Sequence, residues 1–250
     1  MTALCVIAGV ALSVYTAVQT PGRFHSGAER GFNTFAFFTV QSNLIVGVTT
    51  LLLALRLDRR STTFRTFRLT GLVMITVTGV VYHVALAQIL DLDGIHQLGN
   101  QLVHTVVPLL TIIGWLYFGP RGQTSRRVAC LSVLYPFCWL VFTLIRGAVI
   151  SWYPYPFIDV TQLGYGKTIL NCFWVSLLLF GLAAGATALD ARLGPSPNPF
   201  PRQSTPPTAR ELTGDQLSDD RAGRSGVSTD IGGGPPQVGL SAHDADEAPG

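Results

Sequence analysis

The chain has 250 residues, of which 48% are hydrophobic and 12% charged, and its net charge is +3. A soluble domain of this size has about a quarter charged residues, so the composition excludes an ordinary soluble globular protein. The positive excess lies in residues 1–190, which hold 12 basic and 6 acidic side chains. Because these basic residues lie in short loops beside apolar runs, the charge indicates membrane topology and argues against nucleic-acid binding.

Six apolar runs approach the roughly 20 residues that a helix needs to cross a bilayer. Internal prolines are tolerated in such helices, and the sequence predicts kinks at Pro108 and Pro136. The predicted fold is therefore an all-α membrane protein, with a six-helix transmembrane bundle over residues 1–190. The predicted spans cover residues 4–20, 32–55, 69–90, 98–118, 128–150 and 165–189.

The loops predict the orientation of the bundle. The loop after the second span carries five arginines and the loop after the fourth carries three. The loops after the third and fifth spans instead carry Asp91, Asp93 and Asp159. Basic loops stay in the cytoplasm, so both termini are expected on the cytoplasmic side.

Residues 191–250 differ in composition from the rest of the chain. Nine of the fifteen prolines lie there, with many Gly, Ser, Thr and Asp residues and few aromatic ones. Such a segment cannot bury enough apolar surface to offset the entropy lost on ordering. The sequence predicts a disordered cytoplasmic tail, which either contacts an unidentified partner or has no specific function.

Polar side chains occur in the expected outer half of five spans. Thr39 and Asn43 are four residues apart and share a helix face, as do Asn100 and His104. At 1.5 Å per residue, Thr39 is expected about 12 Å below the outer end of its span. Because polar groups are costly inside a bilayer, the common depth predicts a polar cavity near the external face. The other predicted cavity residues are His83, Arg146 and Asn171.

Each of these residues also has a purely structural interpretation. Thr39 could bond the carbonyl of Phe35 one turn back. His104 could serve only as an interhelical hydrogen-bonding residue, and asparagines are typical packing residues in membranes. Arg146 could extend to the interface or pair with Asp159.

A threonine and a histidine together could hydrolyse an ester. The hydroxyl becomes a nucleophile when a base removes its proton. A neutral imidazole within about 3 Å could be that base and could later protonate the leaving alcohol. The side-chain amides of Asn43 or Asn100 could hold the developing oxyanion. A site in the outer leaflet would reach the ester of a lipid whose chains lie in the membrane.

The histidines do not indicate a metal site. His25 and His83 complete no ligand pattern with His104, and no helix carries two histidines at HxxxH spacing. We therefore expect no metal and no other cofactor.

Three segments carry a family resemblance: FFTVQSN at 37–43, NQLVHTVVP at 100–108 and WYPYPFIDV at 152–160. Their order and spacing resemble those of the predicted six-transmembrane proteins of bacteria. More distantly, they are similar to the androgen-induced and androgen-dependent TFPI-regulating membrane proteins of animals. Those animal proteins hydrolyse fatty acid esters of hydroxy fatty acids with an intramembrane threonine and histidine.

The resemblance covers residues 1–190. It implies that Thr39 is a nucleophile, that His104 is its base, and that the substrate is a lipid ester. It also implies a multipass protein of the bacterial plasma membrane. Two non-enzymatic functions stay open at this point: a lipid-binding or small-solute-transport protein that uses the same cavity, and a scaffold that acts through its tail.

Overall fold

The computed structural model describes residues 1–194 apart from residues 58, 60, 91 and 93. Within that part of the chain, six helical segments are long and apolar enough to cross a membrane. This confirms the predicted all-α, six-span fold. The predicted tail covers residues 191–250, and its residues from 195 onwards are outside the described part of the chain. The helices are α1 (Thr2–Gln19), α2 (Gly27–Asn33), α3 (Phe38–Leu55), α4 (Thr62–Val81), α5 (Gly94–Gln101), α6 (Val107–Tyr117), α7 (Arg126–Ile150) and α8 (Val160–Arg192).

Two of the spans contain a π-helical segment. The third span continues from α4 through the π segment Tyr82–Leu86. The fourth span consists of α5, the π segment Leu102–Val106 and α6, which form one helix. The sixth span, α8, contains a break at Gly164, whose φ of 72° is outside the helical region. Glycine adopts such a positive φ without steric penalty.

The second span begins later than the sequence predicts. The apolar run starts at Phe32, but α3 starts at Phe38, after the short helix α2 and a 3₁₀ turn at Thr34–Ala36. The separate helix has its own start signal, because Ser26 and Glu29 form a reciprocal capping box. The predicted depth of Thr39 is therefore wrong: it lies in the first turn of α3 and not two turns below its start.

The third span forms the centre of the bundle. It is the most buried of the six, and α4 packs against α3, α6, α7 and α8. Val73, Met74 and Ile75 near its midpoint are at most 1% exposed. The buried Thr78 of α4 lies 3.0 Å from the hydroxyl of Ser42 on α3. Small polar side chains that bond across helices are a common means of association in membranes.

The two arginine-bearing loops meet at one end of the bundle. Gln123 in the second of these loops donates to the carbonyl of Arg59 in the first, at 3.2 Å. Arg68 of α4 donates to the Gln123 side chain at 3.0 Å. Asp190, near the end of α8, accepts from the Thr124 N–H at 2.9 Å. These contacts put both basic loops on one side, as the predicted orientation requires.

Large apolar side chains cover the outside of the bundle. On α8, Phe173, Trp174, Leu177 and Phe180 lie on one face and are each more than half exposed. Soluble monomers rarely expose large contiguous apolar patches, whereas such a face is suited to lipid. The chain is a multipass membrane protein.

Candidate active site

The hydroxyl of Thr39 lies 3.1 Å from Nε2 of His104, although the two residues are 65 positions apart. Thr39 is 7% exposed in the first turn of α3. His104 occupies the middle of the π segment Leu102–Val106. The structure thus brings together the two side chains to which the sequence assigned the chemistry.

The second ring nitrogen of His104 determines the direction of this hydrogen bond. Nδ1 lies 3.1 Å from the backbone carbonyl of Asn100, and a carbonyl oxygen can only accept. Nδ1 therefore carries the proton, and in the neutral imidazole Nε2 has a free lone pair. Thr39 then donates its hydroxyl proton to Nε2. This is the direction that a nucleophile and its base require.

Tyr155 is a third member of the cluster, and it is not among the site residues that the sequence predicts. Its hydroxyl lies 3.1 Å from the Thr39 backbone N–H, which donates to it. The same hydroxyl lies 3.2 Å from Oγ1 of Thr39. Because the phenol accepts from the N–H, its own proton is free to point at Oγ1. Burial raises the pKa of Tyr155, so the phenol keeps that proton.

The loop between α7 and α8 holds Tyr155 in place. Its ring stacks on Phe157 with the ring centroids 5.3 Å apart. The side-chain amide of Asn171 on α8 donates to the Phe157 carbonyl at 2.8 Å. Asn171 was predicted to line the cavity; it instead anchors the loop that carries Tyr155. The sequence signal for this loop was the segment WYPYPFIDV.

Pro108 accounts for the irregular backbone at His104. Proline has no N–H, so it cannot close the α-helical hydrogen bond to the carbonyl of residue 104. The helix widens there into a π turn, closed by the Val107 N–H donating to the Leu102 carbonyl. Single π turns inside α-helices are frequent at functional sites. This one directs the His104 ring across the bundle toward α3.

Tyr82, in the other π segment, packs against the imidazole. Its ring stacks on His104 with centroids 4.4 Å apart and planes 22° apart. Its hydroxyl accepts from the side-chain amide of Asn100 at 2.6 Å. Asn100 thus contacts His104 through its backbone and Tyr82 through its side chain. Together, Asn100 and Tyr82 fix the orientation of the His104 ring.

Asn43 bonds the backbone on both sides of the Thr39–His104 contact. Its side-chain nitrogen donates to the Thr39 carbonyl at 2.8 Å and to the Val103 carbonyl at 3.1 Å. Both amide protons are therefore used, so the predicted role of Asn43 as an oxyanion donor is wrong. The residue is 0% exposed and connects α3 to the helix that carries His104.

His83 and Arg146 lie away from the pair. The His83 ring is exposed, and its Nε2 lies 3.2 Å from the Thr105 hydroxyl. Arg146 donates to the Asn33 side chain at 2.7 Å and lies over the Trp152 ring. The Asp159 carboxylate, which was a possible partner of Arg146, instead caps the start of α8 and accepts from the Thr161 backbone N–H.

Two cavities meet at the cluster, and Thr39, Leu86, His104 and Tyr155 line both. The outer cavity, of about 460 Å³, opens at the end of the bundle opposite the arginine-bearing loops. The inner cavity, of about 50 Å³, lies between α4, α7 and α8. The other polar residues of the outer cavity are Ser13, Thr16, Thr20, Thr34, His96 and Asn100. The apolar lining of the inner cavity includes Val77, Val81, Pro136, Leu140, Val175 and Leu179.

Three of the seven predicted site residues, Thr39, Asn100 and His104, therefore line the outer cavity. In the described part of the chain, no three His, Cys, Asp or Glu side chains converge as a metal site would require.

The chain matches no protein-family model, no curated protein and no solved structure.

Proposed function

We propose that this membrane protein hydrolyses lipid esters, with Thr39 as the nucleophile and His104 as the base. The observation that carries the proposal is the 3.1 Å contact between the Thr39 hydroxyl and a His104 nitrogen whose lone pair faces it. The distance is within the range in which a general base takes a proton. The volume of the outer cavity is in the range typical of small-molecule sites.

The reaction proceeds in two halves. Thr39 Oγ1 attacks the ester carbonyl carbon while its proton moves to Nε2 of His104. The bond from that carbon to the alcohol oxygen breaks, and the alcohol leaves with the proton from His104. Water then attacks the acyl group on Thr39 and gives a proton to His104. The carbon–Oγ1 bond breaks, the fatty acid leaves, and Thr39 regains its proton.

Tyr155 supports both halves. Its hydroxyl contacts the Thr39 hydroxyl at 3.2 Å and stays protonated because burial raises its pKa. A protonated phenol beside the reacting oxygen orients the nucleophile and can donate to the oxyanion that forms there. The side chain of Asn100 has one amide proton on Tyr82, which leaves the other for the same task.

The position of the site suits a lipid substrate. The outer cavity lies at the end of the bundle that the arginine-bearing loops predict to be external. The protein then acts on lipids of the outer leaflet of the bacterial plasma membrane. The bound partner is a membrane lipid.

Purified full-length protein in lipid nanodiscs should hydrolyse 4-nitrophenyl acyl esters. Thr39→Ala and His104→Ala should each lower kcat/KM by at least about 100-fold, the usual minimum effect of a general base. Thr49→Ala and His83→Ala are matched controls. Thr49 is a buried threonine of the same helix, and His83 lies in the other π segment. Wild-type turnover by either site variant contradicts the assignment.

A fluorophosphonate probe separates an enzyme from a lipid-binding or solute-transport protein. It should label Thr39 covalently, and His104→Ala should abolish the label because the base is missing. Saturable binding of an ester, with neither label nor turnover, would identify a binding protein that uses the same cavity.

A further inference from the structure

We infer that the acyl carbons nearest the ester carbonyl lie in the inner cavity and the alcohol in the outer cavity, so that the inner cavity sets the acyl-length preference. This inference rests on the proposed hydrolase function. It follows from the position of Thr39 and His104 on the wall between two cavities that differ in lining, size and access.

The lining of the inner cavity is suited to an alkyl chain. Beyond the catalytic cluster, α4, α7 and α8 line it mainly with aliphatic side chains, such as Val77, Val175 and Leu179. Methylene groups have no hydrogen bonds to lose in such surroundings. A hydroxyl or a carboxylate would lose its hydrogen bonds to water there and find few partners.

The lining of the outer cavity is suited to the alcohol and to water. Hydroxyl, amide and imidazole groups of α1, α5 and the segment before α3 face it, among them Thr16, His96 and Asn100. Its volume of about 460 Å³ is much larger than the 50 Å³ of the inner cavity. A bulky or polar alcohol fits there and not in the inner cavity.

The reaction sequence requires the same arrangement. After the first half-reaction the acyl group stays on Thr39, while the alcohol must leave and water must enter. Of these two cavities, the outer one provides the wider route for that exchange, and it carries more hydroxyl, amide and imidazole groups than the inner one. The inner cavity is the more enclosed of the two, and its volume of about 50 Å³ can hold the first carbons of the acyl chain until the acyl-threonine is hydrolysed.

Two ester series test the arrangement in full-length protein in nanodiscs. One series keeps the alcohol constant and lengthens the acyl chain from 2 to about 16 carbons. The other keeps the acyl chain constant and enlarges the alcohol. Leu179→Ala enlarges the inner cavity and Val175→Leu fills it, while Ile89→Phe fills the outer cavity, which Ile89 lines.

Leu179→Ala should raise the kcat/KM ratio of long to short acyl esters by about 10-fold, and Val175→Leu should lower it by a similar factor. One methylene in an apolar pocket changes selectivity by about 10-fold or more. Neither variant should change the ranking of the alcohols. Ile89→Phe should change that ranking and leave the acyl preference as it is in the wild type.

The opposite pattern, in which inner variants alter alcohol preference and Ile89→Phe alters acyl preference, overturns the orientation but leaves the hydrolase intact. Unchanged preferences in folded inner variants also overturn it. Absence of turnover for every ester in the wild type overturns the hydrolase and the orientation together. The two failures are therefore distinguishable. Because Leu179→Ala and Val175→Leu change volume in opposite directions, the ratio stays testable if one of them does not fold.

Discussion

Asn43 donates a hydrogen bond to the backbone carbonyl of Val103, across the interface between α3 and the helix that carries His104. The same amide group donates to the carbonyl of Thr39. One buried side chain therefore bonds the backbone of the proposed nucleophile and the residue just before the proposed base. We expect this side chain to hold the spacing between Thr39 Oγ1 and His104 Nε2, although it bonds neither atom.

Replacing Asn43 with Ala should lower kcat by about 10-fold and change KM little. The pair loses the group that fixes its spacing, and small displacements of reacting groups are costly for the rate. The two lost hydrogen bonds should also lower stability by about 1–2 kcal/mol. For a chain of this size that is a fall in Tm of several degrees. Ester turnover and thermal unfolding in detergent micelles measure the two effects.

Thr49→Ala is the matched control for the loss of a buried polar side chain from α3. The Thr49 hydroxyl bonds carbonyls of its own helix, at Ile45 and Val46, so its removal should leave kcat unchanged. A folded Asn43→Ala protein with the wild-type kcat would show that the spacing is set elsewhere.

Replacing Tyr155 with Phe should lower kcat by about 10- to 100-fold while the protein stays folded. The ring keeps its stacking on Phe157, but the hydroxyl that contacts the Thr39 N–H and Oγ1 is gone. A single donor to a developing oxyanion is worth about 100-fold or more, and a group that only orients the nucleophile is worth less. Rates of fluorophosphonate labelling should fall in parallel with kcat.

Tyr153→Phe tests whether any tyrosine of this loop has the same effect. Tyr153 lies two residues earlier and packs its ring against Gly147. Its variant should label and turn over at the wild-type rate. Equal losses in the two variants would mean that the loop matters only for folding.

The sequence predicted the six spans because a bilayer imposes a length and a composition that can be counted along the chain. It also predicted the Thr39–His104 pair, since both residues were expected at a similar depth and the family resemblance gave them their roles. It missed the short helix α2, because Phe32, Phe35 and Phe37 extend the apolar run of the second span into the residues before α3. A hydropathy pattern records which residues avoid water but not where one helix ends and the next begins.

The role of Tyr155 could not be derived from spacing. It lies in a loop between two spans, and periodicity gives no information on where a loop side chain points. Asn43 shows a second limit, because spacing placed it on the face of Thr39 but did not identify its hydrogen-bond partners. Only the packing of α3 against residues 102–106 shows that its amide protons are used on backbone carbonyls.

Gly79→Ala should reduce activity by displacing the His104 segment. A Cβ at this position would lie 3.2 Å from Cβ of Pro108 and 3.4 Å from the His104 carbonyl. The contact with Pro108 is tight, so α4 and the start of α6 must move apart by a few tenths of an ångström, which shifts the adjoining π turn. Gly114→Ala is the control, because a Cβ at Gly114 meets nothing within 4 Å. It should gain up to about 1 kcal/mol from helix propensity and keep full activity. Ester turnover of both variants measures the difference, and equal activities would contradict the close approach as a requirement.

The stability of the wild type should fall more steeply above pH 10 than that of Tyr155→Phe. Burial raises the pKa of Tyr155 above its ordinary value of 10.0, so folding favours the neutral phenol. That contribution is fully present below pH 10 and is lost as the pH rises through the raised pKa, with a slope of at most about 1.4 kcal/mol per pH unit. Thermal unfolding between about pH 9 and pH 11.5 measures it. Tyr117→Phe, which alters a tyrosine that is 76% exposed, should keep the wild-type dependence. Identical alkaline slopes for the wild type and Tyr155→Phe would mean that the phenol reaches water and is not held neutral beside Thr39.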